Sequence, residues 1–290
     1  MKQTFTIKES RELPPHLRPL LHNLYPPQHV PNLFSFPPQC SLYTGWLGNE
    51  LMAAITVDYR DLPTTQQIRM TDAAYTNFAA LRGLIDRVLY QFHPHIGQKT
   101  MVSLNVQNAK ALQRLDSFTA IGFTPHLEST VYDLPVLPFQ KETYAQWQLC
   151  LEHPETYASW SSTRNQYARL LPGALPVSAR TIDECHRNQG AFHSLRRNGA
   201  VVGTMYSRIE FSRLHIHELH MTCDSFTTRE GLSFLQQSSF IKLKKIQDVK
   251  VTVTSLQPSL RDALLKQKAT QTSVSTHTFL KELVPYPSVQ

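Results

Sequence analysis

The sequence predicts two tandem mixed α/β domains of one type, each an α+β mixed sheet flanked by helices. Three observations lead there. The order hairpin, strand, helix, strand, helix, strand can be traced twice along the chain. The 290 residues are long for one compact domain and comfortable for two. Between the two traces lies "LPVLPFQK", where Pro135 and Pro138 interrupt any regular element and suggest a linker. The expected domains are therefore residues 1–140 and 141–290.

In the first half, "TFTIKES" alternates like a strand, and "RELPPHLRPLLHNLY" places Leu13, Leu17, Leu20, Leu21 and Leu24 at helical spacing. "SLYTGWLGNELMAAITVDY" holds two alternating apolar runs that meet at Gly48-Asn49, a hairpin signal because both residues tolerate positive φ. "QQIRM" reads as a further strand. "AALRGLIDRVLYQF" is an amphipathic helix carrying Leu81, Leu84, Ile85, Val88 and Leu89. A buried strand "TMVSLNV", a helix from Ala109 to Leu115 and a closing strand "ESTVYDL" complete the set.

After the linker, the stretch from Glu142 to Leu171 has helical spacing on both sides of Pro154. The second half then repeats the first. It reads as a hairpin about Asn198-Gly199, a strand "LHIHELHM" and a helix "REGLSFLQQSSFIKLKKI". A strand "DVKVTVTSL", a helix "PSLRDALLKQKA" and a last strand "HTFLKEL" follow.

Composition bounds the function. With 41% hydrophobic and 18% charged residues the chain has the make-up of a soluble globular protein. The net charge of +7 suits an anionic ligand, but the densest basic run, Lys242, Lys244, Lys245 and Lys250, lacks the Arg forks and interleaved aromatics that read bases. It reads as a solvated helix face. Cys40, Cys150, Cys185 and Cys223 are scattered and form no CxxC pair, which fits a reducing cytoplasm. No apolar run approaches the roughly 18 residues needed to span a bilayer. No G-x-S-x-G elbow, Walker loop, dinucleotide fingerprint or H-E-x-x-H supports a hydrolase, kinase or dehydrogenase.

The stretch "LNVQNAKALQRLDSFTAIGFTPHLESTVYDL", with Asn105, Asn108, Ala111, Gly122 and Phe123, resembles the C-terminal part of the Gcn5-related N-acetyltransferase superfamily. There a buried strand leads to Asn, a helix, Gly-Phe and a final strand. The second half echoes the pattern more faintly. The resemblance implies tandem acyl-CoA N-acyltransferase-like domains that use acetyl-CoA as co-substrate. It also implies a loop of pattern Q/R-x-x-G-x-G/A that opens a helix, so that free N–H groups hold the pyrophosphate. In the first half the matching window runs from Tyr75 to Ala80, with Phe78 in the glycine place. In the second it is Thr228, Arg229, Glu230, Gly231, Leu232 and Ser233, where Gly231 is in place and Ser233 is a small substitute. Thr228, Arg229, Gly231, Leu232 and Ser233 are thus the expected cofactor-binding residues.

In "HIHELHM" strict alternation places His215, His217 and Leu219 on one face and Ile216, Glu218 and His220 on the other. The resemblance implies a base on this strand that takes a proton from the acceptor ammonium. Glu218 is the candidate, with burial raising its pKa, and His220 is the substitute. Two other readings stay open: strand residues satisfied by hydrogen bonds, and a metal held by His215, His217 and Cys223. The H-x-H-x-x-H spacing is neither H-E-x-x-H nor that of a zinc finger, so no metal is expected. The tyrosine that protonates the leaving thiolate in many members is replaced by Phe118 in the first half, and the second half has no counterpart.

The expected protein is a cytoplasmic N-acetyltransferase in which the second domain binds acetyl-CoA and the first is a degenerate copy. Its partner would be a small-molecule or peptide amine acceptor, with no nucleic acid and no membrane. The alternative is a non-catalytic acetyltransferase-fold binding or scaffolding protein.

Overall fold

The computed structural model describes residues 4–11, 15–24, 40–61, 65–92, 99–107, 115–138, 144–168, 177, 182, 190–221 and 224–283. The chain divides into two compact units. The first comprises Met1–Leu127 and Thr276–Gln290, the second Glu128–Ser275.

In the first unit, β1 (Phe5–Ser10) is followed by α1 (Leu17–Leu24) and by the hairpin of β2 (Cys40–Leu47) and β3 (Glu50–Asp61). Gly48 makes the turn at φ 61°, a conformation costly for a side chain. Next come β4 (Thr65–Tyr75), α2 (Phe78–Gln91), β5 (Lys99–Gln107) and α3 (Leu115–Ala120). The sheet order is β1-β2-β3-β4-β5, completed by β12 (Thr270–Leu283), which pairs with β5 through Thr276–Leu283. All neighbours are antiparallel except β4 and β5. Alternation along the strands gives the sheet two apolar faces. On one, α2 buries Leu81, Leu84, Ile85 and Val88 against Ile55, Ile68, Met70 and Leu104; on the other, α1 sets Leu17 and Leu21 against Leu42, Trp46 and Ala54.

The second unit repeats the plan. It contains β7 (Trp147–Leu151), α4 (Tyr157–Ala168), β8 (Gly190–Arg197), β9 (Ala200–Glu210) and β10 (Arg213–Met221). Then follow α5 (Ser225–Gln236), α6 (Ser239–Leu243), β11 (Asp248–Thr254) and α7 (Pro258–Lys266). The sheet order is β7-β8-β9-β10-β11, completed by β6 (Thr124–Leu134), which pairs antiparallel with β11 through Ser129–Leu134. Asn198 and Gly199 carry φ of 51° and 80° at the first turn, as a primed hairpin requires. α5 and α7 cover one face with Leu232, Leu235, Leu260 and Leu264, while Tyr157 and Trp160 of α4 pack on Phe192 of the other.

Doubling of the mixed α/β plan is thus present, but the compact units are not the contiguous halves 1–140 and 141–290. The first unit's strands are completed by β12, from the other end of the sequence, and β6 pairs with β11 of the second unit, so hydrogen-bond pairing rather than the proline-rich stretch draws the boundary. Two elements also depart from the sequence reading. Residues 147–151, read as helix, form edge strand β7, because pairing with β8 buries Trp147 in the core. The single helix read from Arg229 to Ile246 begins earlier, at Ser225, and is broken at Gln237 and Ser238, where Ser238 caps α6 through its hydroxyl. The helix read from Ala109 to Leu115 lies almost entirely outside the described residues; the described helix there is α3. Among the described residues no helix is long and apolar enough to cross a membrane.

Candidate functional site where parallel strands part

In each unit the one parallel pair runs in register for a few residues and then separates. β4 and β5 pair from Thr65↔Lys99 to Met70↔Leu104, although both strands continue. β10 and β11 pair from Arg213↔Asp248 to Ile216↔Val251. At both partings the strand that leads into the next helix carries one extra residue. On β4 this lies between Thr71 and Ala74, and on β10 it is His217. Such a bulge bends its strand and is common beside functional sites. The result is an open notch, walled by two strands and closed at one end by the N-terminus of a helix, α2 in one unit and α5 in the other.

The bulge corrects the expected faces of "HIHELHM". Because His217 is unpaired in the register, Leu219 turns to the same buried side as Leu214 and Ile216 and joins their core cluster. Glu218 meets α4 instead. Arg164, whose side chain is 5% exposed, donates from Nε to Oε2 at 2.9 Å and from Nη2 to Oε1 at 3.0 Å. The Nε2 of His220 lies 3.5 Å from Oε2. Burial pushes the Glu218 pKa up, but His220 and the Arg164 charge outweigh it and hold the carboxyl at about 2. This corrects the expectation of a raised pKa. A carboxylate so stabilised is a poor acceptor of an ammonium proton near neutral pH.

The expected cofactor residues are placed differently from the sequence reading. Thr228, Arg229, Gly231, Leu232 and Ser233 lie in the body of α5 and not in a loop ahead of it. The strand-to-helix connection is only residues 222–224, and in the first unit only 76–77. The Thr228 N–H and hydroxyl both donate to the Asp224 carbonyl. Arg229 stands over the Phe226 ring at 5.9 Å, Leu232 is fully buried, and the Ser233 hydroxyl donates to the Arg229 carbonyl. Gly231 serves packing: a Cβ there would lie 2.4 Å from Met221 Cε and 3.1 Å from the Trp147 ring. By its aromatic partner on the edge strand, its counterpart in the first unit is Gly83, where a Cβ would lie 3.3 Å from the Phe5 ring. The comparison of Gly231 with Phe78 therefore paired residues with different places in the fold.

Three residues that the sequence reading passed over define the second notch. Asp224 caps α5, its carboxylate accepting from the N–H groups of Phe226 at 3.1 Å and Thr227 at 2.8 Å, and from the Thr227 hydroxyl. These bonds hold its pKa below the usual carboxylate range. A negative charge thus occupies the end of the helix that would otherwise attract an anion. Gln257 spans the parted strands: its Nε2 donates to the Leu219 carbonyl at 2.8 Å, and its Oε1 accepts from the N–H of Thr254 at 3.2 Å. Arg164 is the third. Asp224 carried a legible signal, an acidic cap residue just ahead of a helix; Arg164 and Gln257 carried none, since Glu218 and Leu219, the partners that place them at the notch, are distant in sequence.

The first notch is filled otherwise. Asn77 caps α2 with a neutral side chain that accepts from the Ala80 N–H at 2.9 Å. Phe78 meets Phe118 edge-on at 5.2 Å, and Phe118 lies against Phe279 at 4.8 Å. Gly122, at φ 85°, ends α3 so that Phe123 can bury completely. Asn105 accepts a hydrogen bond from Thr278, and Asn108 lies outside the described residues. His215 and His217 stack at 6.2 Å, Cys223 lies outside the described residues, and among the described residues no three His, Cys, Asp or Glu side chains gather as metal ligands do.

No family model and no curated protein matches this sequence. Solved structures do. A GCN5-related N-acetyltransferase from Sphaerobacter thermophilus superposes with a TM-score of 0.61 at 10% identity, over 96% of this chain and 95% of that one. A tandem GNAT protein from the clavulanic acid biosynthesis pathway gives 0.60 at 11% identity, over 98% and 100%. A GCN5-related N-acetyltransferase from Anabaena variabilis gives 0.53 at 13%, over 95% and 72%. With the parted parallel strands and the doubled order of elements, these likenesses establish that the chain has the tandem Gcn5-related N-acetyltransferase fold.

Proposed function

We propose that this is an acetyltransferase-fold protein whose second unit works as a binding or scaffolding module and not as an acetyl-CoA site. One observation carries the reading: two N–H groups in the first turn of α5, those of Phe226 and Thr227, are already held by the Asp224 carboxylate, so a pyrophosphate arriving there would meet a like charge. Gln257 supports it, because its amide already takes a backbone carbonyl of β10 and a backbone N–H of β11 inside the notch. The low pKa of Glu218 and its pairing with Arg164 support a structural role for that carboxylate.

A second reading is acetyl transfer from acetyl-CoA to a small-molecule or peptide amine, carried by the first unit. The bulge on β4 and the neutral Asn77 cap favour it there, since neither places a negative charge at the helix N-terminus. Phe118 in place of a tyrosine and the Phe78 ring weigh against it. Both readings suit a cytoplasmic protein with scattered cysteines.

Calorimetric titration of the full chain with acetyl-CoA separates them. The proposal expects no saturable heat at millimolar ligand. Heat that is lost in Asn77→Asp and kept in Asp224→Asn would assign binding, and with it the transferase reading, to the first unit. Heat that survives Asn77→Asp and grows in Asp224→Asn would overturn the proposal.

A further inference from the structure

The β9–β10 hairpin of the second unit turns at Phe211, which is fully exposed and adopts φ 57°. That conformation favours glycine or asparagine, and an aromatic residue there is an outlier held at a conformational cost. The neighbouring connection from α6 to β11 is tied to this tip: the Gln247 N–H donates to the Ser212 carbonyl at 2.8 Å, and the Ser212 hydroxyl donates to Gln247 Oε1 at 3.3 Å. At the end of α6, Leu243 is 79% exposed and lies beside Lys242 and, in the connection, Lys244 and Lys245, all exposed. Lys245 also adopts positive φ, 51°. Among the described residues no carboxylate pairs with Lys244 or Lys245. The nearby Arg213 and Asp248 neutralise each other at 3.4 Å, and so do Lys250 and Asp133. This corner therefore has a net positive charge and two protruding apolar side chains. It lies at the start of β10, whereas Asp224 lies beyond that strand's far end.

We propose that this corner docks the protein on an anionic lipid bilayer surface, without crossing it. Lysines beside an exposed Leu and Phe match the two attractions of such a surface, charged headgroups and an acyl boundary that accepts apolar side chains. Protrusion favours a fluid partner over a preformed pocket. The absence of an Arg fork among these side chains disfavours base recognition. The proposal departs from the sequence expectation of no membrane partner, and it is independent of whether either notch binds acetyl-CoA.

The test is sedimentation of the full chain with vesicles of phosphatidylcholine alone and of phosphatidylcholine mixed with phosphatidylglycerol. Capture is expected on the anionic vesicles only, and it should fall steeply toward molar salt. Lys244→Gln with Lys245→Gln should weaken capture about 30-fold, from roughly fivefold per lysine. Phe211→Gly should weaken it about tenfold while leaving Tm unchanged or higher, because glycine relieves the turn. Leu243→Ser is a second, independent check on apolar insertion. Absence of capture overturns the proposal. So does capture that Phe211→Gly and Leu243→Ser leave unchanged, which would mark a merely cationic surface open to nucleic acid or an acidic protein. Self-association without vesicles, abolished by Leu243→Ser, would assign the corner to a second copy and overturn it as well.

Discussion

The two notches share one backbone plan and differ in what fills it. In the first unit the helix N-terminus is capped by neutral Asn77, and the interior beside it is aromatic, Phe78 against Phe118. In the second the cap is the Asp224 carboxylate, and the interior is polar, with Gln257 across the strands and Arg164 clamped on Glu218. The same bulge and the same parting of strands can thus be stabilised by apolar packing or by hydrogen bonds. The backbone geometry alone does not make a cofactor site. A binding site also needs unsatisfied donors, and in the second unit the N–H groups of Phe226, Thr227 and Thr228 at the helix end already have acceptors.

The sharpest way to break this comparison is at Glu218. Glu218→Gln removes the Glu218 charge from the buried Arg164 guanidinium. The expected loss is about 3 kcal/mol, the low end for breaking a buried pair because Glu218 keeps 37% of its side chain exposed. Urea unfolding measures it. The pH dependence carries a sign. Folding depresses this pKa, so the unfolded chain binds the proton more readily, and stability falls as pH falls. The contribution is fully present above about pH 4.5 and disappears as pH falls through about 2, and Glu218→Gln should flatten that part of the curve. A variant as stable as the parent would mean that the clamp is ornamental.

Next in size are the paired glycines. Gly231→Ala forces the Trp147 ring and Met221 to yield, which costs ~2 kcal/mol, partly offset by a helix-propensity gain of ~1 kcal/mol. Gly83→Ala presses only on the Phe5 ring, at 3.3 Å, so the same gain should leave it neutral or slightly stabilising. Thermal melts of the two variants should therefore move in different directions. Equal shifts would show that the two helices pack alike after all.

The smallest effect belongs to the caps. Asn and Asp cap helices about equally well, so Asn77→Asp and Asp224→Asn should each barely change Tm at neutral pH. They should differ in acid. The depressed Asp224 pKa means that its contribution is present above the usual carboxylate range and lost as pH falls through the lowered value, and Asp224→Asn should remove that loss. Acid melts of parent and variant check this.

Periodicity and turn chemistry determined much of the fold. Gly48, Asn198 and Gly199 fixed the hairpins because positive φ is a local steric property, and the spacing of Leu81, Leu84, Ile85 and Val88 fixed α2 because one face had to be buried. The resemblance around Gly122 and Phe123 was legible for a similar reason: a glycine that ends a helix and a buried phenylalanine are local requirements. Tertiary structure alone decided what depends on distant partners. Trp147 reads as helical by spacing, yet it lies in a strand, because a neighbouring strand supplies the hydrogen bonds. Gly231 matches a phosphate loop in sequence, yet it sits in mid-helix under Trp147, because a motif records residue types and not where the helix begins. One extra residue at His217 reverses the faces of "HIHELHM", and alternation cannot reveal a bulge that only the register with β9 defines. The charge state of Glu218 was hidden for the same reason: Arg164 is 54 residues away in sequence, and only folding brings its guanidinium to 2.9 Å.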